Sequence, residues 1–421
     1  MMSETKVSFD LVISGAGMVG LALAAALAPT GLRILLLEQQ ALEQSSALDA
    51  LPSDRFDVRV SALTKASSQL LDFLGAWSVI EGLRAAAYTD MHVWDGMGRG
   101  EIHFSADELH EPCLGHIVEN RIIHAALLQV VQQYAQIEII QGVGLSALSA
   151  PDAAGGRQIT LTNNDVIHTP LLIGADGALS KTRQLSGIGA TEWDYGHHAL
   201  VTTLISEQSH QNTCWQVFTE DGPLALLPLA SSSPHYLSLV WSTSPTHARS
   251  LQALSAEALG QAITQAVGQR LGDIRVVDQV TALNLRQRHA HQYVDTGLAL
   301  IGDAAHTIHP LAGQGVNLGF LDVASLADVL TQAHQAGESL SSLTVLRRFQ
   351  RQRRAENIKM AATMEVFRRL FGHRPAPIRL LRSLGMKGLD QLAPVKNHLV
   401  AMAMGTKGNL PPLCRAPVRV F

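Results

Sequence analysis

Short apolar runs that lead into glycine recur along the chain and predict buried strands followed by tight turns. Phe9–Ser14 is such a run, and it precedes Gly15 and an apolar segment with helical character at Leu21–Leu27. Continuous apolar runs of this length are typical of parallel strands that are buried on both faces. The next run, Arg33–Leu37, ends in Glu38. Because glycines interrupt the apolar stretch, the pattern favours a strand–turn–helix–strand unit over a signal sequence or a membrane span.

Two later runs repeat the strand-to-turn pattern. Leu171–Ile173 leads into Gly174-Ala175-Asp176-Gly177, and Leu298–Ile301 leads into Gly302-Asp303. The Asp303 carboxylate is placed to accept a hydrogen bond from a ribityl or ribose hydroxyl. Asp176 is open to the same interpretation, or it is an aspartate that only stabilises its own turn. A further glycine-rich stretch, Gly313-Gln314-Gly315-Val316-Asn317, opens a predicted helix that runs to about Gln335.

The first turn carries a GxGxxG pattern whose glycines have separate roles. Gly15 permits the sharp turn, Gly17 lets the backbone approach a pyrophosphate, and Gly20 lets the helix pack closely. Glu38 follows 18 residues after Gly20 and would accept both ribose hydroxyls of an adenosine. The N-terminus of the helix then faces the phosphates with free N–H groups and positive potential.

Three such turns in one chain predict an extended dinucleotide held from three sides, as a bound FAD requires. We therefore expect a flavoprotein. The predicted FAD contacts are Gly15, Gly17, Gly20, Glu38, Asp176, Gly177, Gly302, Asp303, Gly313, Gln314, Gly315 and Asn317. No second GxGxxG with a strand and a helix around it is found, so a nicotinamide electron donor would bind only transiently.

Composition narrows the class of protein further. The 421 residues carry a net charge of −4, which gives no reason to expect nucleic acid as a partner. The three cysteines are far apart and form no CxxC pair, so neither a zinc site nor a disulfide framework is expected. His306 and His309 lack a third metal ligand, and no metal site is predicted.

Alternating polar and apolar residues in 190–245 predict an antiparallel sheet, and a helix is expected at Ala256–Leu271. The predicted fold class is α/β: a Rossmann-like, discontinuous FAD-binding domain with an inserted β-sheet substrate domain and a C-terminal helical region. The FAD-binding domain is expected at 1–75, 115–185 and 285–345, the substrate domain at 76–114 and 186–284, and the helical region at 346–421.

The C-terminal region from 346 is rich in arginine and leaves two interpretations open. It is either a helical layer that covers the core and exposes a solvated basic face, or a surface that meets lipid or an assembly partner. Its arginines begin with Arg347, Arg348, Arg351, Arg353 and Arg354.

In this order, the three motifs resemble those of single-component flavin monooxygenases with the para-hydroxybenzoate-hydroxylase fold. The stretch from His309 to Asp322 is similar to the signature of the ubiquinone-biosynthesis hydroxylases, and the resemblance covers nearly the whole chain. Val93-Trp94-Asp95, 114–120 and 193–201 look most like the branch that hydroxylates 2-octaprenylphenol at C5. A sibling branch that acts on demethoxyubiquinol is similar too and tends to carry Asn at the position of His309.

The resemblance implies an FAD-dependent monooxygenase that hydroxylates a polyprenylphenol through a C4a-hydroperoxyflavin, with O2 and NAD(P)H as co-substrates. It also implies that Arg59 lies near the flavin and that His309 and Pro310 shape the wall beside it; no catalytic base is identified. Many relatives of the wider fold carry arginine at the position of Asn120. We expect a cytoplasmic protein, with inner-membrane contact and membership of a quinone-synthesising complex as open alternatives. A flavin reductase or oxidase, and a non-catalytic scaffold, are rival functions.

Overall fold

The computed structural model describes residues 9–42, 54–307 and 315–371, together with single residues and short stretches between 385 and 415. The strands are β1 (Leu11–Ser14), β2 (Ile34–Glu38), β3 (Val60–Leu63), β4 (Ala85–Tyr88), β5 (Asp90–Asp95), β6 (Glu101–Ser105), β7 (Gly115–Glu119), β8 (Ile137–Gln141), β9 (Leu145–Leu148), β10 (Arg157–Leu161), β11 (Val166–Thr169), β12 (Leu171–Gly174), β13 (Ala190–Ser206), β14 (Thr213–Thr219), β15 (Gly222–Pro228), β16 (Tyr236–Thr243), β17 (Ile274–Val276), β18 (Thr281–Ala290), β19 (Val294–Asp295), β20 (Leu298–Leu300) and β21 (His306–Thr307).

The α-helices are α1 (Met18–Leu27), α2 (Lys65–Phe73), α3 (Trp77–Arg84), α4 (Asn120–Val131), α5 (Lys181–Leu185), α6 (Pro245–Gln252), α7 (Ala256–Ala266), α8 (Gly315–Gln335) and α9 (Leu343–Phe371). A 3₁₀ turn spans Gly302–Ala304. None of the helices in these ranges is both long enough and apolar enough to cross a membrane.

The apolar runs of the sequence form the centre of a six-stranded sheet with the order β19-β20-β12-β1-β2-β8. β1 pairs in parallel with β2 and β12, and β12 pairs in parallel with β20. All four residues of β1 are buried, as expected for a strand covered on both faces. α1 packs against α4 and α8. This arrangement brings the ends of β1, β12 and β20, and hence the three predicted turns, to one edge of the sheet.

The predicted β-sheet region forms a nine-stranded sheet that also recruits β5 and β6 from 76–114. The strands predicted within 190–245 pair antiparallel, which confirms the antiparallel sheet. The added β5 differs, because it pairs in parallel with β14. β18 runs through the predicted boundary at 284/285 as one uninterrupted strand. The division into domains stays a prediction.

Two helix predictions need correction. α7 ends at Ala266 rather than Leu271, because the chain turns at Gly268 with a φ of +67°. In α9, Arg347 and Arg351 are exposed, but Arg353 is buried and ion-paired with Asp322. The basic run is therefore not a uniformly solvated face, since one of its arginines belongs to the interior.

Candidate functional site

The first glycine turn joins β1 to α1 and is shaped by the backbone conformation of Gly15 and by a close contact at Gly20. Gly15 has a φ of +104°, a conformation that favours glycine. A Cβ atom on Gly20 would lie 1.9 Å from the carbonyl oxygen of Gly15, so α1 packs directly on the turn. Gly17, in contrast, is exposed, and a Cβ atom added to it would have no neighbour within 4 Å. The turn therefore presents bare backbone at the N-terminus of α1.

The second turn lies against the first. The Ala175 amide donates to the carbonyl of Ser14 at 2.8 Å, and a Cβ on Gly15 would lie 2.5 Å from the Ala175 oxygen. The Asp176 carboxylate accepts hydrogen bonds from the Ser180 hydroxyl (2.5 Å) and from the amide and hydroxyl of Thr182 (both 2.9 Å). All three donors lie at the start of α5. Asp176 therefore acts as an aspartate that stabilises its own turn.

The third turn, Gly302–Ala304, places Asp303 beside the other two. Ile301 donates its amide to the Gly174 carbonyl at 3.0 Å, which fixes the turn against the second motif. Asp303 itself is exposed to the space between the motifs. The protein atoms around it nevertheless limit the hydration of the carboxylate, and this desolvation raises the pKa of Asp303, while His306, Arg59 and Arg288 act in the opposite direction.

Two buried arginines hold the second turn, and one of them, Arg183, also connects it to the third. Arg183 donates to the carbonyls of Ala304 (2.7 Å) and Ala178 (3.1 Å). Arg288 also donates to the Ala178 carbonyl and pairs with Glu192. Burial lowers the pKa of Arg183, and the neighbouring Arg288 adds to this effect. The planar guanidinium groups of these arginines donate to backbone carbonyls of the turns. They thereby hold backbone that strand pairing and α-helix geometry do not hold.

Arg59 approaches the site from the segment before β3. Its backbone carbonyl accepts the Asn120 amide at 3.0 Å, and the Asn120 side chain accepts the Ser61 hydroxyl at 2.6 Å. The buried carboxylate of Glu119 holds the same segment, because it accepts the Asp57 amide at 2.6 Å and pairs with Arg84 and Arg121. Among the described residues, no carboxylate lies within salt-bridge distance of the Arg59 guanidinium.

A cavity of about 480 Å³ lies where these segments meet. Its walls include the predicted residues Gly17, Arg59, Gly177, Gly302, Asp303 and Gly315. Its floor is one face of the nine-stranded sheet and is mainly apolar, formed by Ala199, Val201, Val240, Leu283 and Leu285. The cavity thus joins the polar backbone of three turns to an apolar surface.

Several predicted FAD contacts do not line this cavity, and others lie outside the described residues. The Glu38 carboxylate accepts the Ala16 amide at 2.9 Å, at the end of β2. Asn317 is buried: its amide donates to the Ala62 carbonyl at 2.8 Å and accepts from the Thr64 amide and the Ser67 hydroxyl. It does not line the cavity. His309, Pro310, Gly313 and Gln314 lie outside the described residues.

Some residues of the site carried no signal in the sequence. His124 forms a hydrogen bond of 2.9 Å with the Ala16 carbonyl across 108 positions, and Arg286 lines the cavity from β18. Neither belongs to a recognisable motif. Only the folded chain reveals them, because it packs α4 against α1 and places β18 along the cavity.

The chain matches the FAD binding domain family over residues 8–361. It is 38% identical to the 3-demethoxyubiquinol 3-hydroxylase of Escherichia coli, covering 94% of this chain and 98% of that protein. A mitochondrial ubiquinone biosynthesis monooxygenase of Xenopus tropicalis is 36% identical, covering 94% and 93%. Ubiquinone hydroxylase UbiL of Rhodospirillum rubrum is 34% identical, covering 96% and 91%.

Solved structures share the fold at low sequence identity. A probable FAD-dependent monooxygenase from Pseudomonas aeruginosa superimposes with a TM-score of 0.76 at 20% identity, covering 90% of this chain and all of that one. The p-nitrophenol 4-monooxygenase of Pseudomonas putida gives 0.75 at 17%, covering 96% and 100%. These structures show the shared fold. The family match and the full-length relatives establish that the chain belongs to the FAD binding domain family and is an FAD-dependent monooxygenase.

Proposed function

We propose that this monooxygenase hydroxylates the aromatic ring of a polyprenylated phenol in ubiquinone biosynthesis. The observation that carries the proposal is the cavity, in which three glycine-rich turns open onto an apolar sheet face. Relatives that match the chain over nearly its full length are, by name, a demethoxyubiquinol hydroxylase and a ubiquinone hydroxylase. An electron-rich ring with an apolar substituent fits such a surface better than a charged metabolite does.

The residues around the cavity fit an FAD molecule. A Cβ atom added to Gly17, Gly177 or Gly315 would have no neighbour within 4 Å, so the backbone at these positions is open to a ligand. Asp303 would accept a hydroxyl of the cofactor, and Arg59 would face its phosphates or those of a visiting NAD(P)H. The N-terminus of α8, at Gly315, would favour negative charge on the flavin ring by about 0.3–1 kcal/mol.

When bound, the flavin supplies the oxygen-activating chemistry, with NAD(P)H as its reductant. The chain's own contribution is to bind, to orient and to exclude water. Val201 and Val240 are neighbours on adjacent strands and, with Leu283, form an apolar floor that offers water few hydrogen-bond partners. This floor would hold the substrate ring beside the flavin and keep the reactive oxygen from being lost as hydrogen peroxide.

The ring position is a separate part of the proposal. Motif resemblance favours the C5-hydroxylation of 2-octaprenylphenol, whereas the 38% identity to a 3-demethoxyubiquinol 3-hydroxylase favours the later step as a second candidate. Mass spectrometry of quinone intermediates in cells that lack the protein separates the two. Accumulated polyprenylphenol supports the first and accumulated demethoxyubiquinone supports the second.

The same cells test the enzymatic assignment. Complementation with the wild-type chain should restore quinone synthesis, and complementation with Asp303→Ala should not, because the variant loses a cofactor contact. If Asp303→Ala restored both flavin content and quinone synthesis, a scaffold function would replace the enzymatic one. Purified protein that oxidises NAD(P)H in the presence of substrate without any hydroxylated product would instead indicate a reductase or oxidase.

A further inference from the structure

A group of buried polar side chains lies behind the Gly302–Ala304 turn and does not line the cavity. Its centre is Asp322 of α8, whose exposed fraction is zero. One carboxylate oxygen, Oδ1, accepts Nε of Arg353 at 2.9 Å and the Asn357 amide at 3.1 Å. The other, Oδ2, pairs with His306 Nε2 at 2.5 Å and accepts the Gly302 amide at 3.1 Å. Asp322 is thus fully hydrogen-bonded without any ligand.

The two partners of Oδ2 bracket Asp303 in the sequence. Gly302 immediately precedes Asp303, and His306 follows it by three residues. A single oxygen atom therefore ties both ends of the segment that presents Asp303 to the cavity. Oδ1 ties the same carboxylate to α9, where Arg353 and Asn357 also bond to each other at 2.7 Å.

The group is expected to be ionised and rigid. Burial alone would raise the pKa of Asp322, but His306 and Arg353 outweigh it and lower the pKa to about 2. A buried carboxylate is tolerated only when opposite charge and hydrogen bonds satisfy it fully, and a partly satisfied network would be costly. Such a group has one favourable arrangement, so it can define the position of the backbone that it holds.

We propose that Asp322, held by Arg353 and Asn357, is a positioning residue that fixes Gly302–His306 so that Asp303 meets a hydroxyl of the bound flavin. The group would thereby set the affinity for FAD from outside the cavity. This inference rests on the proposed function only in placing FAD in the cavity, and it does not depend on which ring is hydroxylated.

The test is an FAD titration of the deflavinated protein with Asp322→Asn. We expect the dissociation constant to rise about tenfold or more, by analogy with the loss of metal affinity when a group that orients a metal ligand is removed. Asp295→Asn is the control, because it also removes a carboxylate that pairs with a buried arginine, Arg157, at 2.7 Å, but on the edge of the six-stranded sheet, where the Asp295 side chain is 39% exposed. It should lower the melting temperature of the apoprotein but leave FAD affinity nearly unchanged.

A double-mutant cycle separates positioning from general destabilisation. If Asp322 acts through Asp303, the effect of Asp322→Asn on FAD affinity should largely disappear in an Asp303→Ala background. Should Asp322→Asn fail to fold, Arg353→Lys serves instead: it keeps the charge but loses the planar fork, and it should weaken FAD binding in the same Asp303-dependent way.

Two outcomes would overturn the inference: equal effects of Asp322→Asn and Asp295→Asn on FAD affinity, or independent effects of Asp322 and Asp303. Wild-type protein that binds FAD but never hydroxylates a phenol would refute the proposed function and leave this inference intact.

Discussion

At the residue scale, glycines of the same motif differ in what their missing side chain permits. At Gly20 the absence of a Cβ is needed for folding, because a Cβ atom there would lie 1.9 Å from the carbonyl oxygen of Gly15. At Gly17 a side chain has room, but it would project into the cavity from the N-terminus of α1. Substitutions at the two positions therefore affect different properties: folding at Gly20 and ligand binding at Gly17.

We expect Gly17→Ala to leave the unfolding free energy of the apoprotein within about 1 kcal/mol of wild type. Its FAD affinity should fall, because the added methyl group occupies the path of the pyrophosphate. Gly20→Ala should destabilise the apoprotein by more than about 3 kcal/mol, since backbone must move to relieve the overlap. Thermal unfolding and FAD titration of both variants check this. Equal stability of the two apoproteins would contradict it.

Residue identity alone did not separate ligand contacts from packing contacts. Asp176 and Asn317 occupy motif positions, yet the donors and acceptors of their side chains are engaged by Thr182 and by Ser67 and Ala62. Asp303 has the same chemistry as Asp176 but faces the cavity. The two aspartates differ because neighbouring Ser180 and Thr182 donate to Asp176, whereas the Asp303 side chain is open to the cavity. Whether Asp176 or Asn317 also meets the cofactor stays a prediction.

At the element scale, the alternation of β13 assigns its two faces to different roles. Val201 points to the cavity, while Leu200 packs into the core beneath α6 and α7. A strand with a period of two can thus carry a substrate surface and a structural core at once. This is why the same sheet can be both the floor of the site and the scaffold that holds it.

Val201→Thr should uncouple the enzyme, because the hydroxyl gives water a hydrogen-bond partner beside the reacting ring. The fraction of NAD(P)H electrons recovered as hydrogen peroxide should rise, while the shape of the floor stays nearly the same. Val217→Thr is the matched control: it buries the same hydroxyl in the core of the same sheet, away from the cavity. It should cost about 1–2 kcal/mol of stability without uncoupling. Increased peroxide from both variants would refute the assignment.

At the scale of the whole molecule, buried histidines make folding sensitive to acid. Burial lowers the pKa of His210, and with help from His235 brings it to about 4 from an ordinary value of 6.5. The folded state therefore keeps His210 neutral where the unfolded chain takes up a proton. Since the unfolded state binds more protons between pH 6.5 and 4, stability should fall as the pH drops through this window.

His210→Asn should remove part of this dependence. Asn can still accept the Asn212 amide, which bonds to His210 Nδ1 at 3.0 Å, but it does not titrate. Below pH 6.5 the slope of unfolding free energy against pH should decrease by at most about 1.4 kcal/mol per pH unit. Above that pH the wild-type and variant curves should run parallel, which is the internal control. Urea denaturation across the range measures both, and an unchanged slope at low pH would contradict the assignment.

The sequence by itself determined the Rossmann-like unit, the three turns, the sheet region and FAD as the cofactor. These follow from short-range patterns: apolar runs, glycine spacing and alternation are properties of neighbouring residues. It did not reveal that Arg183 connects two turns, that Arg288 holds one of them, or that Arg353 leaves the basic face of α9 to pair with Asp322. Those contacts join residues 31 to 121 positions apart. Tertiary structure alone decides them, because the partner of a buried charge depends on which distant backbone the fold brings beside it.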